Sequence, residues 1–173
     1  MYNHFTYCEK LARRIKAIGH TDDDCHFFRA TENQSYQEMA ANLSSVTGYV
    51  LVAIDGKNSG FLWIDSDSLL ERPTYSIVIL KQTALNDIEK MFESMEHCKA
   101  IALQCIAKIL QDARHYKDGC DLIDPASFTM DGVGPVADNF FGVIVQFSLT
   151  QGIDFMLDSD MWLTVDSWDN IRQ

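Results

Sequence analysis

The residues of this chain that could bind a metal ion lie closest together at positions 22–26, which read Asp-Asp-Asp-Cys-His. Carboxylates, a thiol and an imidazole are all possible metal ligands. The segment lacks the second, spaced pair of ligands that zinc sites use, and consecutive acidic residues in a loop cannot all point at one ion. We therefore expect a solvated turn here, with a metal site as the less favoured alternative.

Three other short segments resemble the beginnings of ligand-binding motifs. Residues 65–68 and 158–160 look like the opening of a calcium-binding loop, but neither has the glycine at position six and the closing glutamate at position twelve. Residues 131–135 contain a Gly-x-Gly that leads into a strand, whereas a dinucleotide-binding fingerprint follows a strand and opens a helix. We interpret all three as turns, and we expect neither a metal ion nor a cofactor.

The cysteines and histidines are the candidates for nucleophilic catalysis. The chain has five of each, with no Cys-x-x-Cys spacing, which suits buried reduced thiols better than disulfides. A dyad assembled in three dimensions, such as Cys120 with His115, remains an alternative. A reactive thiolate needs an electropositive setting, however, and the neighbouring chain is rich in aspartate. We therefore predict that the protein is not an enzyme.

Length and composition predict a single α+β domain over residues 1–173. With 173 residues, 47% of them hydrophobic, the chain can build one ordinary core. It has neither eighteen consecutive apolar residues nor an apolar signal-peptide region after Met1, so we expect a soluble cytoplasmic protein. The formal charge of −11 argues against direct binding to nucleic acid or to an anionic membrane.

The spacing of apolar residues predicts three helices. Phe5, Cys8, Leu11 and further apolar residues recur at intervals of three and four, which indicates a helix over residues 3–18 that Gly19 would end. A capping-box pattern at residues 35–38 predicts a short helix through Leu43. A long helix is predicted over residues 86–115, and at about 1.5 Å per residue it would span roughly 45 Å.

Several short segments are predicted as strands because they are rich in β-branched or aromatic residues, namely 25–30, 49–55, 60–65 and 74–81. Residues 55–60 read Asp-Gly-Lys-Asn-Ser-Gly, with glycines available for positive φ, and therefore predict a hairpin turn. Residues 66–73 would form the next connection. Residues 127–130 and 161–165 are predicted as further short strands.

The clearest pattern in the chain lies at residues 139–150. It is an alternation that places five large side chains on one face of a strand, namely Phe141, Val143, Val145, Phe147 and Leu149. The preceding long helix would cover this face. The element order predicts an α+β fold, with a single antiparallel sheet of about five to six strands covered on one face by the long helix and the shorter N-terminal helix.

Residues 138–149, Asp-Asn-Phe-Phe-Gly-Val-Ile-Val-Gln-Phe-Ser-Leu, follow a long helix and a Gly/Pro-containing loop. In this order they resemble the closing strand of small prophage-encoded tail and neck proteins of the tail-terminator or tail-completion kind. The resemblance is one of pattern, and it extends over the last half of the chain. It implies a non-enzymatic, virion-associated structural subunit that joins copies of itself, or other tail and neck proteins, head to tail in a ring or joint. The family has no catalytic residues to transfer, and the long acidic C-terminus departs from its pattern.

Charge is distributed unevenly along the chain. Residues 1–20 contain one acidic side chain and four basic ones, namely Lys10, Arg13, Arg14 and Lys16. The acidic C-terminal segment, residues 152–173, has one arginine and five aspartates, which include Asp154, Asp158 and Asp160. A solvated basic helix and a solvated acidic tail are the ordinary explanation. A ring-closing interface, however, needs two different complementary patches on one subunit.

We therefore expect the four basic residues to face Asp154, Asp158 and Asp160 of a neighbouring copy, with Trp162 and Trp168 as aromatic anchors near the contact. Packing of the two tryptophans on the sheet is the alternative.

Two other functions stay open. One is an acidic intracellular adaptor or inhibitor that binds a basic protein. The other is a small enzyme or ligand-binding domain with a pocket between the long helix and the sheet.

Overall fold

The computed structural model describes residues 2–31, 43, 46–65, 68–84, 87–137, 139–154, 156 and 158–161. Within these ranges the fold is α+β. The helices are α1 (His4–Arg14) and α2 (Ile88–Arg114). The strands are β1 (Phe27–Ala30), β2 (Tyr49–Asp65), β3 (Ser68–Gln82), β4 (Thr129–Val136), β5 (Phe140–Ser148) and β6 (Gln151–Ile153).

The described strands form one mixed sheet in the order β1-β2-β3-β5-β4, and β6 also pairs with β3. Most neighbours are antiparallel, as predicted, but β1 pairs with β2 in parallel, with Phe27 opposite Leu51. The prediction of a purely antiparallel sheet was therefore wrong. A parallel pair needs a long crossover, and residues 31–48 supply one between β1 and β2.

Both helices cover one face of the sheet. In this core Leu11 and Ala12 of α1 and Cys98, Ala102 and Ile109 of α2 are buried together with the apolar face of β5, namely Val143, Val145 and Phe147. The predicted helix cover of β5 is thus confirmed. A second buried cluster lies apart from it and includes Val50, Val52, Leu80 and Phe140 with Leu43 and Val46. Since neighbouring residues of a strand point to opposite faces, the central strands are buried on both sides.

The helix boundaries differ modestly from the predicted ones. Helix α1 begins after its N-cap Asn3 and ends at Arg14, earlier than expected, and Gly19 with φ +64° closes a separate turn. Helix α2 begins after Asp87, whose side chain accepts a hydrogen bond from the Lys90 amide. Ile88 and Phe92 are 63% and 66% exposed, so the first turns of α2 present apolar side chains to solvent. The short helix predicted from residue 35 lies outside the described residues except for Leu43, which is helical and buried.

The largest departure from the sequence prediction is the pair β2 and β3. The expected hairpin turn at residues 55–60 was wrong, because β2 continues without a break to Asp65. The expected connection at 66–73 was also wrong, because β3 begins at Ser68. The ladder shifts register between Ile54 and Asn58, which makes this irregular stretch a bulge within a long strand.

A close contact explains why glycine stands in this bulge. A Cβ at Gly56 would lie 2.6 Å from the Tyr75 ring, and Gly56 has no positive φ. The Tyr75 ring in turn lies between His4 and Phe147, with centroid distances of 4.7 and 6.2 Å, so it has little room to move. Gly56 is therefore required for close approach rather than for turn geometry.

The structure also changes the prediction for the end of the chain. The segment 131–135 is not a turn but part of β4, which is longer than the predicted strand at 127–130. Strand β6 was not predicted from the sequence. Met161 lies in a 3-10 turn, Ser159–Met161, and residues 162–165 of the predicted last strand lie outside the described residues.

Replacing Gly56 with alanine should lower the free energy of unfolding by about 1–3 kcal/mol, because the new methyl group overpacks against the Tyr75 ring. Gly60→Ala is the matched control in the same strand, since a Cβ there meets nothing within 4 Å. It should change stability by less than about 0.5 kcal/mol. Urea unfolding followed by circular dichroism measures both, and equal stability of the two variants would contradict the proposed contact.

Candidate assembly surface

A thiol and an imidazole lie close together on the buried face of α1. The Cys8 Sγ is 3.6 Å from the His4 Nδ1. The His4 Nε2 donates a hydrogen bond to the Ser76 carbonyl oxygen at 3.0 Å, and the Tyr2 hydroxyl is 3.1 Å from Nδ1. Burial lowers the pKa of His4 to about 4 and raises the pKa of Cys8 well above its usual value. Both groups are therefore neutral near pH 7, and the pair stabilises the core rather than forming a reactive thiolate.

The Cys-His pair considered from the sequence is not brought together. Cys120 is fully buried, and burial raises the pKa of its thiol to about 11. His115 is exposed at the end of α2. No hydrogen bond joins the two side chains within the part of the chain that the structure describes. Cys120 instead lies near Tyr7, whose hydroxyl donates to Asp112 at 2.9 Å.

The acidic segments considered as metal sites have protein partners. Asp22 binds Arg13 at 2.5 Å, and Asp24 lies 3.0 Å from the Nε2 of His26. The Asp158 carboxylate accepts a hydrogen bond from the Asp160 amide, which is the geometry of a solvated turn. Among the described residues no group of three or more possible ligands could hold a metal ion.

The four basic residues of the N-terminal region fall into two groups. Lys10 binds Asp118 at 2.8 Å, and Arg13 binds both Asp22 and Glu9. Arg14 and Lys16 are exposed, and neither has a carboxylate partner among the described residues. Only these two are therefore available for a second molecule without breaking a contact in their own chain.

A groove lies between α1 and α2 and has a volume of about 210 Å³. Tyr7, Leu11 and Ile15 give it an apolar floor, and its cationic side chains are Lys10, Arg14 and Lys108. Lys108 also holds the buried Asp112 at 2.5 Å. A shallower depression continues along α2 past Lys108 to Arg114. Asp112 and Asp118 also line the groove and pair with Lys108 and Lys10, so the charge that these pairs leave over is that of Arg14.

The second prominent surface is the outer half of the β2–β3 hairpin, residues 58–65 and 68–74, which we call the arm. Phe61, Leu62, Trp63 and Ile64 are 63, 47, 60 and 54% exposed. Successive residues of a strand point to opposite faces, so these exposed apolar side chains lie on both faces of the arm. At about 3.3 Å per residue, residues 58–65 extend roughly 25 Å. Isolated exposed apolar residues are ordinary, whereas four consecutive ones make the arm a candidate interaction surface.

The acidic C-terminal segment starts on the arm. Strand β6 pairs with β3 at Leu69, Leu70 and Glu71, and the Gln151 side chain donates to the Glu71 carboxylate at 3.0 Å. Residues 154–161 therefore begin next to the far end of β3. Asp154, Asp158 and Asp160 are exposed there, whereas Trp162 and Trp168 lie outside the described residues. The sequence could not place these acidic residues beside the arm because neither the arm nor β6 was predicted.

Comparison of the chain with protein-family models, curated protein sequences and solved structures finds no significant match. Among the described residues no helix is both long and apolar enough to cross a membrane.

The buried His4 predicts a specific pH dependence of stability. Its native pKa of about 4 lies below the ordinary 6.5, so below pH 6.5 the unfolded chain binds a proton that the native state excludes. The free energy of unfolding should fall by roughly 3 kcal/mol between pH 6.5 and 4. His4→Gln should flatten this dependence, whereas His97→Gln, which changes an exposed side chain, should retain it. Urea unfolding at several pH values measures the slopes, and identical slopes in both variants would refute the assignment.

The thiols predict a simple chemical titration. Cys25 is exposed and the other four cysteines are buried. One thiol per folded chain should react rapidly with a disulfide reagent such as DTNB, and Cys25→Ser should abolish that phase. A rapid phase that survives this substitution would show that one of the buried thiols is accessible and would reopen the catalytic alternative.

Proposed function

We propose that the protein is a non-enzymatic structural subunit of a phage-tail-like assembly, in which copies join head to tail to form a ring or joint. The observation that carries this proposal is the arm, because it holds four consecutive exposed apolar side chains outside the core. Such a surface is costly to leave in water and gains stability when a neighbour covers it.

The shape of the molecule supports a head-to-tail arrangement. The arm is one kind of surface, and the basic groove between α1 and α2 is another. When two different surfaces of one chain meet in successive copies, the interface is heterologous and the copies build a ring if the rotation closes. The resemblance of residues 138–149 to the closing strand of tail and neck proteins gives the proposal its biological setting.

The test compares the solution mass of arm variants by light scattering after size exclusion. Wild-type protein should form an oligomer of the 19.7 kDa chain, and Phe61→Ser with Trp63→Ser should shift the mass toward the monomer because these side chains are 63% and 60% exposed. Loss of two such contacts should raise the dissociation constant about a hundredfold, since apolar anchors at an interface each contribute about 1–2 kcal/mol.

The matched control replaces two equally exposed apolar residues on α2, Ile88→Ser with Phe92→Ser. This variant should retain the wild-type mass. If the oligomer mass fell equally in both double variants, that would indicate nonspecific hydrophobic association rather than assembly through the arm. A wild-type monomer at all concentrations would contradict the proposal of self-assembly.

A further inference from the structure

We infer that the groove between α1 and α2 binds the acidic segment 154–161 of the neighbouring copy, with Arg14 as the residue that selects it. This inference rests on the proposed function and names the contact by which one copy recognises the next. The groove and the segment are complementary in charge, in apolar character and in length.

Arg14 is the cation of the groove that is left for a second molecule. Lys10 and Lys108 already bind Asp118 and Asp112 of their own chain, at 2.8 and 2.5 Å. Arg14 lines the same groove, is exposed, and has no carboxylate partner within the described residues. A guanidinium in this position can take a carboxylate in a bidentate pair without disrupting an existing bond.

The segment supplies the missing charge. Asp154, Asp158 and Asp160 are exposed, and none of the three lines the groove of its own chain. Their carboxylates therefore remain available to a second molecule, apart from the turn bonds they make to the Met156 and Asp160 amides. A carboxylate retains several lone pairs after accepting one such bond.

The segment also matches the groove in apolar character and length. Met156 and Met161 are 81% and 82% exposed, the first between Asp154 and Asp158 and the second directly after Asp160. Flexible methionine side chains fill irregular apolar surfaces well, and the half-buried Ile15 offers such a surface in the groove. From Asp154 to Asp158, ahead of the turn at Ser159–Met161, the segment spans at most ~13 Å, which is close to the ~12 Å of α1 between Tyr7 and Ile15.

Strand β6 links this contact to the arm. Because β6 pairs with β3 at Leu69 to Glu71, the acidic segment begins near the outer end of the arm. An arm that packs on a neighbour therefore delivers the aspartates to that same neighbour. Once the arm is bound, the acidic segment and the groove are held on the same complex. Their effective concentration is therefore high, and the groove is occupied for more of the time.

The experiment is a charge-reversal cycle in the full chain, read as the dissociation constant from sedimentation velocity at low salt. Arg14→Glu should raise the dissociation constant about tenfold or more, because it places like charges opposite each other. Asp158→Lys with Asp160→Lys should do the same. The chain that carries all three substitutions should recover affinity, since each interface again joins opposite charges.

Lys16→Glu is the matched control, because Lys16 lies near Arg14 in the chain, is exposed, undergoes the same change of charge, and does not line the groove. It should leave the dissociation constant within about twofold of wild type. Circular dichroism spectra and melting temperatures of all variants check that each one is folded.

The outcomes separate this inference from the proposed function. Recovery in the combined variant supports the contact. If the wild type assembles but the charge reversals have no effect, or if the combined variant fails to recover, the contact is refuted while assembly through the arm stands. A wild type that remains monomeric at every concentration refutes both.

Discussion

Strand β3 is the element on which the rest of the structure depends, because it belongs to both the body and the arm. Its C-terminal part pairs with β2 on one side and β5 on the other, from Thr74 to Gln82. Its N-terminal part pairs with the outer half of β2 and with β6. Tyr75 marks the junction, where its ring packs against Tyr2, His4 and Phe147 at centroid distances of 5.5, 4.7 and 6.2 Å. Packing at this aromatic junction anchors the base of the arm in the core.

The core could be predicted from the sequence because its residues repeat with the period of their own element. The alternation over β5 and the apolar stripe of α2 each depend on neighbours within one segment. The arm could not be predicted in this way. Residues 55–60 have the composition of a turn, yet they lie within the long β2–β3 ladder and form a bulge in it. Gly56 is required by a contact with Tyr75, which is distant in sequence, so composition suggested the wrong reason for the glycine.

The parallel pairing of β1 and the exposure of Ile88 and Phe92 were missed for a related reason. A local pattern states that a residue is apolar, but it does not state whether another element reaches far enough to cover it. The sequence shows that basic residues are concentrated near the N-terminus. It does not show which of them pair with carboxylates of their own chain. Arg13 and Lys10 are committed to carboxylates of their own chain, and Arg14 is left exposed at the edge of an apolar groove. Only the fold distinguishes these cations, since all of them lie in one basic stretch.

The proposed interface assigns different tasks to its apolar and charged parts. Burial of Phe61 and Trp63 would supply affinity, but the hydrophobic effect is non-directional and would also favour contact between two arms. The aspartates that follow β6 at the outer end of the arm oppose that outcome, because two arms in contact would bring two acidic segments together. Opposite Arg14, the same aspartates gain an attractive partner. The acidic segment thus favours contact between the arm of one copy and the groove side of the next over contact between two arms. Successive subunits would therefore join head to tail.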